Sequence, residues 1–260
     1  MPTPTDTLHS ILNADADSTP TPRDPSQPLP RLSDSLPIFD GENTPQNIST
    51  YGFLLGAIFG GSIIFVAYER ELPQLGIYLA ALSLFHTLEY VATALFNRDK
   101  LTLDSYLINH SDHYHIANAA TLLEFLIERY FFPEWKTFGI ANLMGFLVVI
   151  IGQSARTIAM FSAKENFSHH IADHKERDHR LVTNGIYSIM RHPSYFGFYW
   201  WALGVQVLLL NPICFVGFIK VLYGFFSERI EYEEYTLTKF FGLEYVEYRK
   251  RTRTYIPFIN

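Results

Sequence analysis

The sequence has little cysteine and little charge. Cys214 is the only cysteine among 260 residues, so no intrachain disulfide can form and a disulfide-stapled secreted fold is excluded. Charged residues make up 18% of the chain, compared with about 25% in typical soluble domains, and no basic stripe marks a nucleic-acid-binding surface. Apolar residues are abundant instead, at 48%, with 22 phenylalanines and 16 tyrosines. This composition predicts an integral membrane protein with no nucleic acid among its partners.

The first 47 residues have a different composition. They contain nine of the 14 prolines, and their seven acidic and two basic residues account for −5 of the net charge of −6. Such a segment buries too little apolar surface to offset the entropy of ordering, and no basic region precedes an apolar run as in a signal peptide. We therefore expect residues 1–47 to form a disordered tail rich in Pro, Ser, Thr and Asp.

Long apolar runs follow the tail. A membrane-spanning helix needs about 20 residues, and the turn signal at Asn211-Pro212 divides the last run into two helices of about 16 and 15 residues. The pattern predicts an all-α integral membrane protein with about six transmembrane helices, the last two forming a helical hairpin. In the first run, Gly56, Gly60 and Gly61 offer small-residue faces for close helix contact. The runs are residues 51–68, 74–96, 114–132, 137–160 and 195–226.

Basic residues are distributed unevenly between the two ends of these helices. One end has only Arg70 and Lys136, with Arg129 close by, whereas thirteen lysines and arginines lie at the other end. The positive-inside rule places the richer side in the cytosol, together with both termini. Because the hairpin returns the chain to the side that it left, residues 164–194 and 227–258 are expected to meet on the cytosolic face.

Two segments on this face combine polar residues with residues of special backbone conformation. The first extends from His179 to Gly197 and contains the motif RHPSYFG. The second follows the hairpin and contains Arg229 and Glu233, which are i,i+4 neighbours on a helix and can therefore point into one pocket. A cluster of solvated juxtamembrane charges would have a similar composition. The proximity of two such segments over a hairpin favours a functional site.

Further motifs accompany these segments in a fixed order along the chain. They are Phe85-His86-x-x-Glu89-Tyr90, Asn109-His110-Ser111, Leu123-Glu124-Phe125, His179-x-Leu-Val-Thr-x-Gly-x-Tyr187, Arg191-His-Pro-Ser-Tyr-x-Gly197, Asn211-Pro212, Arg229-x-x-x-Glu233-Glu234, Phe240-Phe241-Gly242-x-x-Tyr245-x-x-Tyr248 and Ile256-Pro257-Phe258-Ile259. Together they resemble the isoprenylcysteine carboxyl methyltransferase family, from about residue 80 to residue 259. The RHPSYxG motif alone is shared with phospholipid methyltransferases, so the ordered series is the specific feature.

The resemblance implies an S-adenosylmethionine-dependent protein-S-isoprenylcysteine carboxyl O-methyltransferase of the endoplasmic reticulum membrane. It would methylate the C-terminal carboxylate of prenylated cysteine on CaaX-processed proteins, with no metal. Residues 48–163 would form N-terminal membrane helices and residues 164–260 the catalytic region, in which Arg229 would be the catalytic, substrate-facing residue. Where many relatives have a glutamine, this chain has Ala172, whose side chain has no group that could hydrogen-bond to the cofactor. The implied cofactor-binding residues are His179, Arg180, Leu181, Val182, Tyr187, His192, Pro193, Ser194, Tyr195 and Glu233.

The chemistry of methyl transfer is compatible with these residues. A carboxylate is already ionised near neutral pH, so the protein must mainly align the reacting atoms, which can supply about 7–11 kcal/mol. The guanidinium of Arg229 can bind a carboxylate through a planar fork, and Glu233 can accept from ribose hydroxyls or an ammonium. The rings of Tyr187 and Tyr195 can face a sulfonium. A prenyl chain prefers lipid by about 0.8 kcal/mol per methylene, which favours an enzyme built in the bilayer.

Other functions share part of this pattern. A phospholipid N-methyltransferase would keep the donor and the fold but act on an amine. A histidine-box di-iron lipid hydroxylase is suggested by His110-x-x-His113-x-His115 and His169-His170-x-x-x-His174, although most of these residues lie in polar loops and no third cluster exists. A sterol reductase would need a dinucleotide fingerprint, which is absent, and the Arg229–Glu233 pair disfavours a non-catalytic scaffold.

Ionisable residues inside the predicted spans also have structural explanations. His86 and Glu89 lie three residues apart on the second helix, where an interhelical hydrogen bond that fixes packing is favoured over a functional role. The charged side chains of the third and fourth runs are expected to pair with one another. These are Glu124, Glu128, Arg129 and Arg156.

Overall fold

Seven α-helices make up most of the described chain, which in this computed structural model comprises residues 39–109, 111–175 and 179–259. Over these residues there is no β-strand, only isolated bridges between Met190 and Arg253 and between Ile256 and Ile259. The all-helical prediction is therefore confirmed. The helices are α1 (Pro45–Tyr68), α2 (Pro73–Phe96), α3 (Asp112–Phe131), α4 (Ile140–Ala163), α5 (Pro193–Leu209), α6 (Pro212–Phe241) and α7 (Leu243–Arg251).

Helix α1 begins earlier than the sequence predicted. The Thr44 side chain caps it by accepting a hydrogen bond from the Asn47 amide, and the fully buried Asn47 side chain donates to Asp40 and to the Glu42 carbonyl. Polar side chains satisfy the first free amides of a helix in this way, and composition does not reveal it. The prediction of a disordered tail is thus wrong for residues 39–47, while its residues 1–38 lie outside the described residues.

Three helices of the described chain, α1, α2 and α4, are long and apolar enough to cross a membrane. Helix α5 has 17 residues, which is short for a span of about 20, and α3 has several charged residues in its second half. The multi-pass membrane character predicted from the sequence agrees with these three helices. The predicted total of six spans depends on α3, α5 and α6 as well.

Helices α4 and α5 pack with their backbones in contact. A Cβ atom on Gly152 would lie 2.6 Å from the Gly197 carbonyl oxygen, and a Cβ atom on Gly197 would lie 2.6 Å from the Gly152 carbonyl oxygen. Only glycine fits at such an approach. The predicted close contacts at Gly56, Gly60 and Gly61 are not formed, since a Cβ atom there would meet nothing within 4 Å among the described residues. A small-residue pattern does not identify which helix it faces.

The hairpin between α5 and α6 is confirmed and is held by a buried lysine. Leu210 adopts a left-handed conformation after α5, with φ 56°. The fully buried Nζ of Lys136 donates to the carbonyl oxygens of Leu209 (3.0 Å) and Leu210 (2.7 Å) and to Asn211 Oδ1 (2.9 Å). A cation placed on the last carbonyls of a helix satisfies them and complements the helix dipole.

The charged residues of α3 have partners other than those predicted. Glu124 accepts from the first backbone amides of α6, at Ile213 and Cys214, where the helix dipole favours an anion. Glu128 pairs with Lys136 at 2.6 Å, and Arg129 pairs with Glu71 at 2.8 Å. The expectation that these residues pair with one another or with Arg156 is wrong, because the partners come from connections that the helical periodicity does not position.

Helix α6 is 30 residues long and extends to Phe241, well beyond the predicted end of the apolar run at residue 226. The extension is rich in glutamate, which forms helices readily in polar surroundings, so the loss of apolar character does not end the helix. Gly242, with φ 56°, ends it and leads into α7. Arg229 and Glu233 therefore lie on the same continuous helix, as their spacing predicted.

Candidate active site

A buried ionic network joins α2, α4 and α5 beneath the site. Glu89 is fully buried and accepts two hydrogen bonds from the Arg156 guanidinium. It also lies 2.7 Å from His169 Nε2, and Arg156 donates to the Ser194 hydroxyl at 2.9 Å. Because a buried charge must be paired, this network fixes the positions of the loop at His169 and of the start of α5.

The interhelical role predicted for Glu89 is therefore confirmed, and His86 behaves similarly. Its Nδ1 lies 2.7 Å from the Tyr106 carbonyl oxygen, and its Nε2 lies 2.9 Å from the Tyr114 hydroxyl. Both nitrogens of the ring are thus used to connect α2 with its neighbours. This arrangement is typical of a packing histidine.

All ten residues predicted to bind the cofactor line one cavity, which we name the loop cavity. It lies between the loop that follows α4, the start of α5, and helices α6 and α7. The substrate-facing Arg229 does not line it. Eight further residues line the loop cavity that the sequence did not single out as cofactor ligands: Ala163, Asn166, Phe167, Ser168, Arg191, Leu237, Tyr245 and Tyr248.

Two buried polar atoms of the loop cavity lack hydrogen-bond partners among the described residues. They are Glu233 Oε2 and the Tyr245 hydroxyl. The ring of His192 is near Glu233, but its Nδ1 is 3.6 Å from Oε2, which is too long for a hydrogen bond. A buried polar group without a partner is costly, so these atoms fit a cavity that takes a polar ligand.

Glu234, the neighbour of Glu233, organises the RHPSY segment from outside the loop cavity. Its carboxylate accepts from Arg191 Nε, lies 3.3 Å from His192 Nε2 and pairs with Arg249 at 2.9 Å. Burial alone would raise the pKa of Glu234, but the hydrogen bonds from His192 and Arg191 outweigh it and lower the pKa below its usual value. The carboxylate therefore stays ionised and holds the segment in place.

Tyrosines support the loop cavity from α7. The Tyr248 hydroxyl donates to the Tyr187 carbonyl at 2.7 Å. Burial raises the pKa of Tyr248 to about 12, and burial also raises the pKa of Tyr187 and Tyr245 above their usual value. These phenols are therefore neutral near pH 7 and can act as hydrogen-bond donors.

Arg229 lines a second cavity, named here the aromatic cavity, with Phe85, Phe198, Phe225 and Phe226. Its Nε donates to the Tyr195 hydroxyl at 2.9 Å, and its Nη2 donates to the His169 carbonyl at 2.5 Å. These bonds use two of the five donors of a guanidinium. The remaining donors suit an anionic group at the polar end of an otherwise apolar space.

The two cavities share a wall. Phe167, Ser168, Ser194 and Tyr195 line both of them, and the Tyr195 ring stacks on His192 with the planes 8° apart. A group bound in the loop cavity and a group bound at Arg229 would therefore be neighbours. The aromatic cavity also includes Phe85 of α2, so the site extends beyond the predicted catalytic region of residues 164–260.

Two further sequence observations have structural outcomes. Ala172 does not line the loop cavity, so its short side chain makes no contribution there. Two of the histidines that suggested a di-iron site have other partners: His115 Nε2 lies 3.3 Å from Asn109 Oδ1, and His169 Nε2 lies 2.7 Å from a carboxylate oxygen of Glu89. Across the residues that the structure describes, no group of three or more metal-binding side chains converges.

Comparison with known proteins identifies the family. A model of the isoprenylcysteine carboxyl methyltransferase (ICMT) family matches residues 143–239. The human protein-S-isoprenylcysteine O-methyltransferase is 43% identical over 206 residues, which cover 79% of this chain and 72% of the human protein. The chain belongs to the ICMT family. The Saccharomyces cerevisiae protein-S-isoprenylcysteine O-methyltransferase is likewise 43% identical, over 225 residues that cover 84% of this chain and 93% of the yeast protein.

A solved structure supports the same assignment at the level of the fold. The eukaryotic intramembrane Ras methyltransferase ICMT superposes with a TM-score of 0.78 at 36% identity, covering 82% of this chain and 76% of that one. The family resemblance predicted from the motifs is thus confirmed, and the fold is that of a membrane-embedded ICMT.

Proposed function

We propose that this chain transfers a methyl group from S-adenosylmethionine to the C-terminal carboxylate of a prenylated cysteine on CaaX-processed proteins. One observation carries the proposal: the loop cavity, with its unpartnered polar atoms, shares a wall with the aromatic cavity in which Arg229 lies. Two substrates that must react with each other need adjacent sites of different polarity. Membership of the ICMT family agrees with this assignment.

The loop cavity would hold S-adenosylmethionine. Glu233 Oε2 would accept from its hydroxyl or ammonium groups, and the Tyr245 hydroxyl would donate to one of its acceptors. When bound, the cofactor supplies an electrophilic methyl group, and its transfer to an ionised carboxylate needs no proton acceptor in the protein. The stacked rings of His192 and Tyr195 would limit the access of water to the place where the methyl group is transferred.

Arg229 would orient the acceptor carboxylate. Because Tyr195 and His169 already hold two of its donors, the guanidinium is fixed before the substrate binds, and its remaining donors can form a bidentate contact. Preorganisation of this kind lowers the cost of alignment. The aromatic side chains of the second cavity would contact the prenyl chain.

A phospholipid N-methyltransferase would need an amine acceptor. A fixed guanidinium beside the methyl-accepting group repels an ammonium, and it has no hydrogen-bond acceptor for an amine. Arg229 therefore favours a carboxylate substrate. The deciding assay supplies membranes containing the chain with methyl-labelled S-adenosylmethionine and one of three acceptors: N-acetyl-S-farnesylcysteine, its carboxamide or phosphatidylethanolamine. We expect label only in the first, recovered as a base-labile methyl ester, whereas label in the phospholipid would contradict the proposal.

The membrane arrangement belongs to the same proposal. Six spans, in the endoplasmic reticulum membrane with both termini and the loop cavity on the cytosolic side, would follow from the asymmetry of basic residues. Hydrophobic side chains of α6 that are exposed on the surface of the protein, among them Ile213, Val216 and Val221, would then contact lipid. A prenyl chain could enter the aromatic cavity sideways from the bilayer, and the soluble cofactor would enter from the cytosol.

A further inference from the structure

A third cavity adjoins the aromatic cavity, and the proposed reaction does not use it. It has a volume of 370 Å³ and lies between the end of α2, the connection from α2 to α3, and the loop that follows α4. We name it the polar groove, because hydrogen-bonding and charged side chains dominate its lining. These include Asn97, Lys100, Thr102, Asp104, Asn109 and His170.

The polar groove meets the proposed reaction site at the segment of residues 167–169 and at Leu107. Leu107, Phe167, Ser168 and His169 line both the groove and the aromatic cavity, and Phe167 and Ser168 also line the loop cavity. The Asn97 side chain fixes this segment by donating to the Phe167 carbonyl at 3.2 Å. All three cavities therefore converge on residues 167 and 168.

The stereochemistry of the proposed acceptor requires three such spaces. The Cα atom of a C-terminal prenylated cysteine carries a carboxylate, a thioether side chain with the prenyl group, and an amide nitrogen that continues into the polypeptide. The carboxylate must face Arg229 and the loop cavity, and the prenyl group must occupy the apolar part of the aromatic cavity. The polypeptide needs a third path, polar and open to the cytosol.

We propose that the polar groove binds the stretch of polypeptide that immediately precedes the prenylated cysteine. This inference rests on the proposed function and adds a substrate subsite to it. The groove has side chains of both signs, such as Lys100 and Asp104, together with neutral donors and acceptors. Such a lining suits backbone amides and carbonyls, which all polypeptides share, rather than one sequence or charge.

The test compares two acceptors that differ only in the polypeptide. One is N-acetyl-S-farnesylcysteine and the other is a six-residue peptide that ends in S-farnesylcysteine. Asp104→Ala combined with His170→Ala removes two exposed groups of the groove, and Asp104→Trp fills it. We expect kcat/KM for the peptide to fall about threefold to tenfold in the double variant and further in the tryptophan variant. The value for the small acceptor should change less than about twofold.

Matched controls separate the groove from the surface around it. Asp99→Trp and His174→Ala change exposed residues close in sequence that line none of the three cavities, and both acceptors should be methylated at the wild-type rate. Equal loss for the two acceptors in the Asp104 variants would overturn the inference, and so would no loss for either. If the wild type fails to methylate the small acceptor, the proposed function itself is contradicted.

A second measurement does not depend on turnover. A peptide with a benzophenone two residues before the S-farnesylcysteine is cross-linked to the full chain, and the adduct is mapped by mass spectrometry. We expect adducts within residues 97–109 or 168–170. Adducts confined to the loop cavity, for example at residues 179–187, or to the outer face of α7, would overturn the inference.

Discussion

A substitution at Arg229 can separate the effect of its positive charge from the effect of its planar, forked guanidinium. Lysine keeps the charge but loses the planar fork, so Arg229→Lys would no longer hold the Tyr195 hydroxyl and the His169 carbonyl together with a carboxylate. Displacement of the reacting oxygen by about 1 Å can cost roughly a hundredfold in rate. We expect turnover of N-acetyl-S-farnesylcysteine to fall by about that factor, while binding of S-adenosylmethionine, measured by calorimetry, stays near the wild-type value.

Arg251→Lys is the control, because Arg251 is exposed on α7 and lines none of the three cavities. This substitution should leave the turnover of N-acetyl-S-farnesylcysteine and the binding of S-adenosylmethionine unchanged. Near-normal turnover in Arg229→Lys would mean that the guanidinium is a peripheral charge. Arg191 is a poor substitute for this role, since Glu234 and the Thr252 carbonyl already bind its guanidinium.

Glu233 should matter for the donor. Its Oε2 is buried in the loop cavity without a hydrogen-bond partner among the described residues, and a hydrogen bond to a charged group contributes about 1.5–3 kcal/mol. Glu233→Ala should weaken S-adenosylmethionine binding by that amount, measured as Kd. Glu231→Ala, at an exposed position on the same helix, is the control, and equal Kd values in both variants would show that the donor binds elsewhere.

Tyr245 offers a test in which stability and binding respond differently. Its hydroxyl is buried and unpartnered within the described chain, so Tyr245→Phe removes a group that costs free energy in the absence of a ligand. We expect no loss of thermal stability without S-adenosylmethionine, and we expect the binding free energy of the donor, obtained from Kd, to weaken by about 0.5–1.5 kcal/mol. A destabilised protein with unchanged Kd would indicate that the hydroxyl bonds only to the protein.

The motifs named ten of the residues that line the loop cavity, whereas the contacts that support the cavity could not be predicted. All ten predicted positions line one cavity because most of them lie in two short stretches, His179–Tyr187 and His192–Tyr195. Glu89 and His169 are 80 positions apart, and a single sequence contains no signal that brings them together. Tyr245 was visible within a motif, but its unpartnered hydroxyl becomes apparent only when the surrounding atoms are placed.

At the level of elements, the hairpin depends on Lys136. Its Nζ holds two carbonyl oxygens at the end of α5 and pairs with Glu128. Lys136→Met leaves these acceptors and a carboxylate unpaired in a buried place, and breaking a buried ion pair by removing one partner costs about 3–5 kcal/mol. We expect a clearly lower midpoint of thermal unfolding in detergent, with Lys239→Met, an exposed lysine of α6, as control.

If the midpoint in Lys136→Met matched that of Lys239→Met, water or detergent would be satisfying the carbonyls, and the hairpin would owe its stability to packing alone. Combining Lys136→Met with Glu128→Gln tests the cause further. Because the second change removes the unpaired charge, the double variant should recover part of the lost stability.

The sequence predicted which segments form helices better than it predicted where each helix ends and which helices pack together. The turn at Asn211-Pro212 has a local chemical cause, so the hairpin was identified correctly. The end of α6 was misplaced because the chain leaves the apolar run at residue 226 but continues as a helix to Phe241. The contact between Gly152 and Gly197 was missed because many glycines satisfy a small-residue pattern, and only the assembled helices show which of them meet.

For the whole molecule, the proposed reaction site lies where the two halves of the chain meet. Phe85 and Arg156 come from α2 and α4, whereas Arg229 and Glu233 come from α6. The Glu89–Arg156–Ser194 chain of contacts connects these halves through a buried network. Neither half therefore contains a complete site. The boundary at residue 164 between the membrane helices and the catalytic region separates the sequence motifs, but residues from both sides of it line the proposed reaction site.

The orientation in the membrane gives the last prediction. If the basic residues mark the cytosolic side, Glu165, in the turn after α4, faces the cytosol, and Trp135, in the turn after α3, faces the lumen. Both are exposed, and Cys214 is the only native cysteine, so single cysteines can be introduced in a Cys214→Ser background. In sealed microsomes with the cytosolic face outward, a membrane-impermeant maleimide should label Glu165→Cys at once.

Trp135→Cys should react only after the membrane is permeabilised with detergent. The reverse pattern would invert the topology and place the loop cavity on the side opposite to the cytosolic pool of S-adenosylmethionine. Immediate labelling of both variants would mean that no membrane span separates the two positions. Because α4 is the only α-helix between them, this result would show that α4 does not cross the membrane. Labelling of Glu165→Cys alone in intact vesicles would support the cytosolic site, since the loop that begins at Asn166 lines the loop cavity.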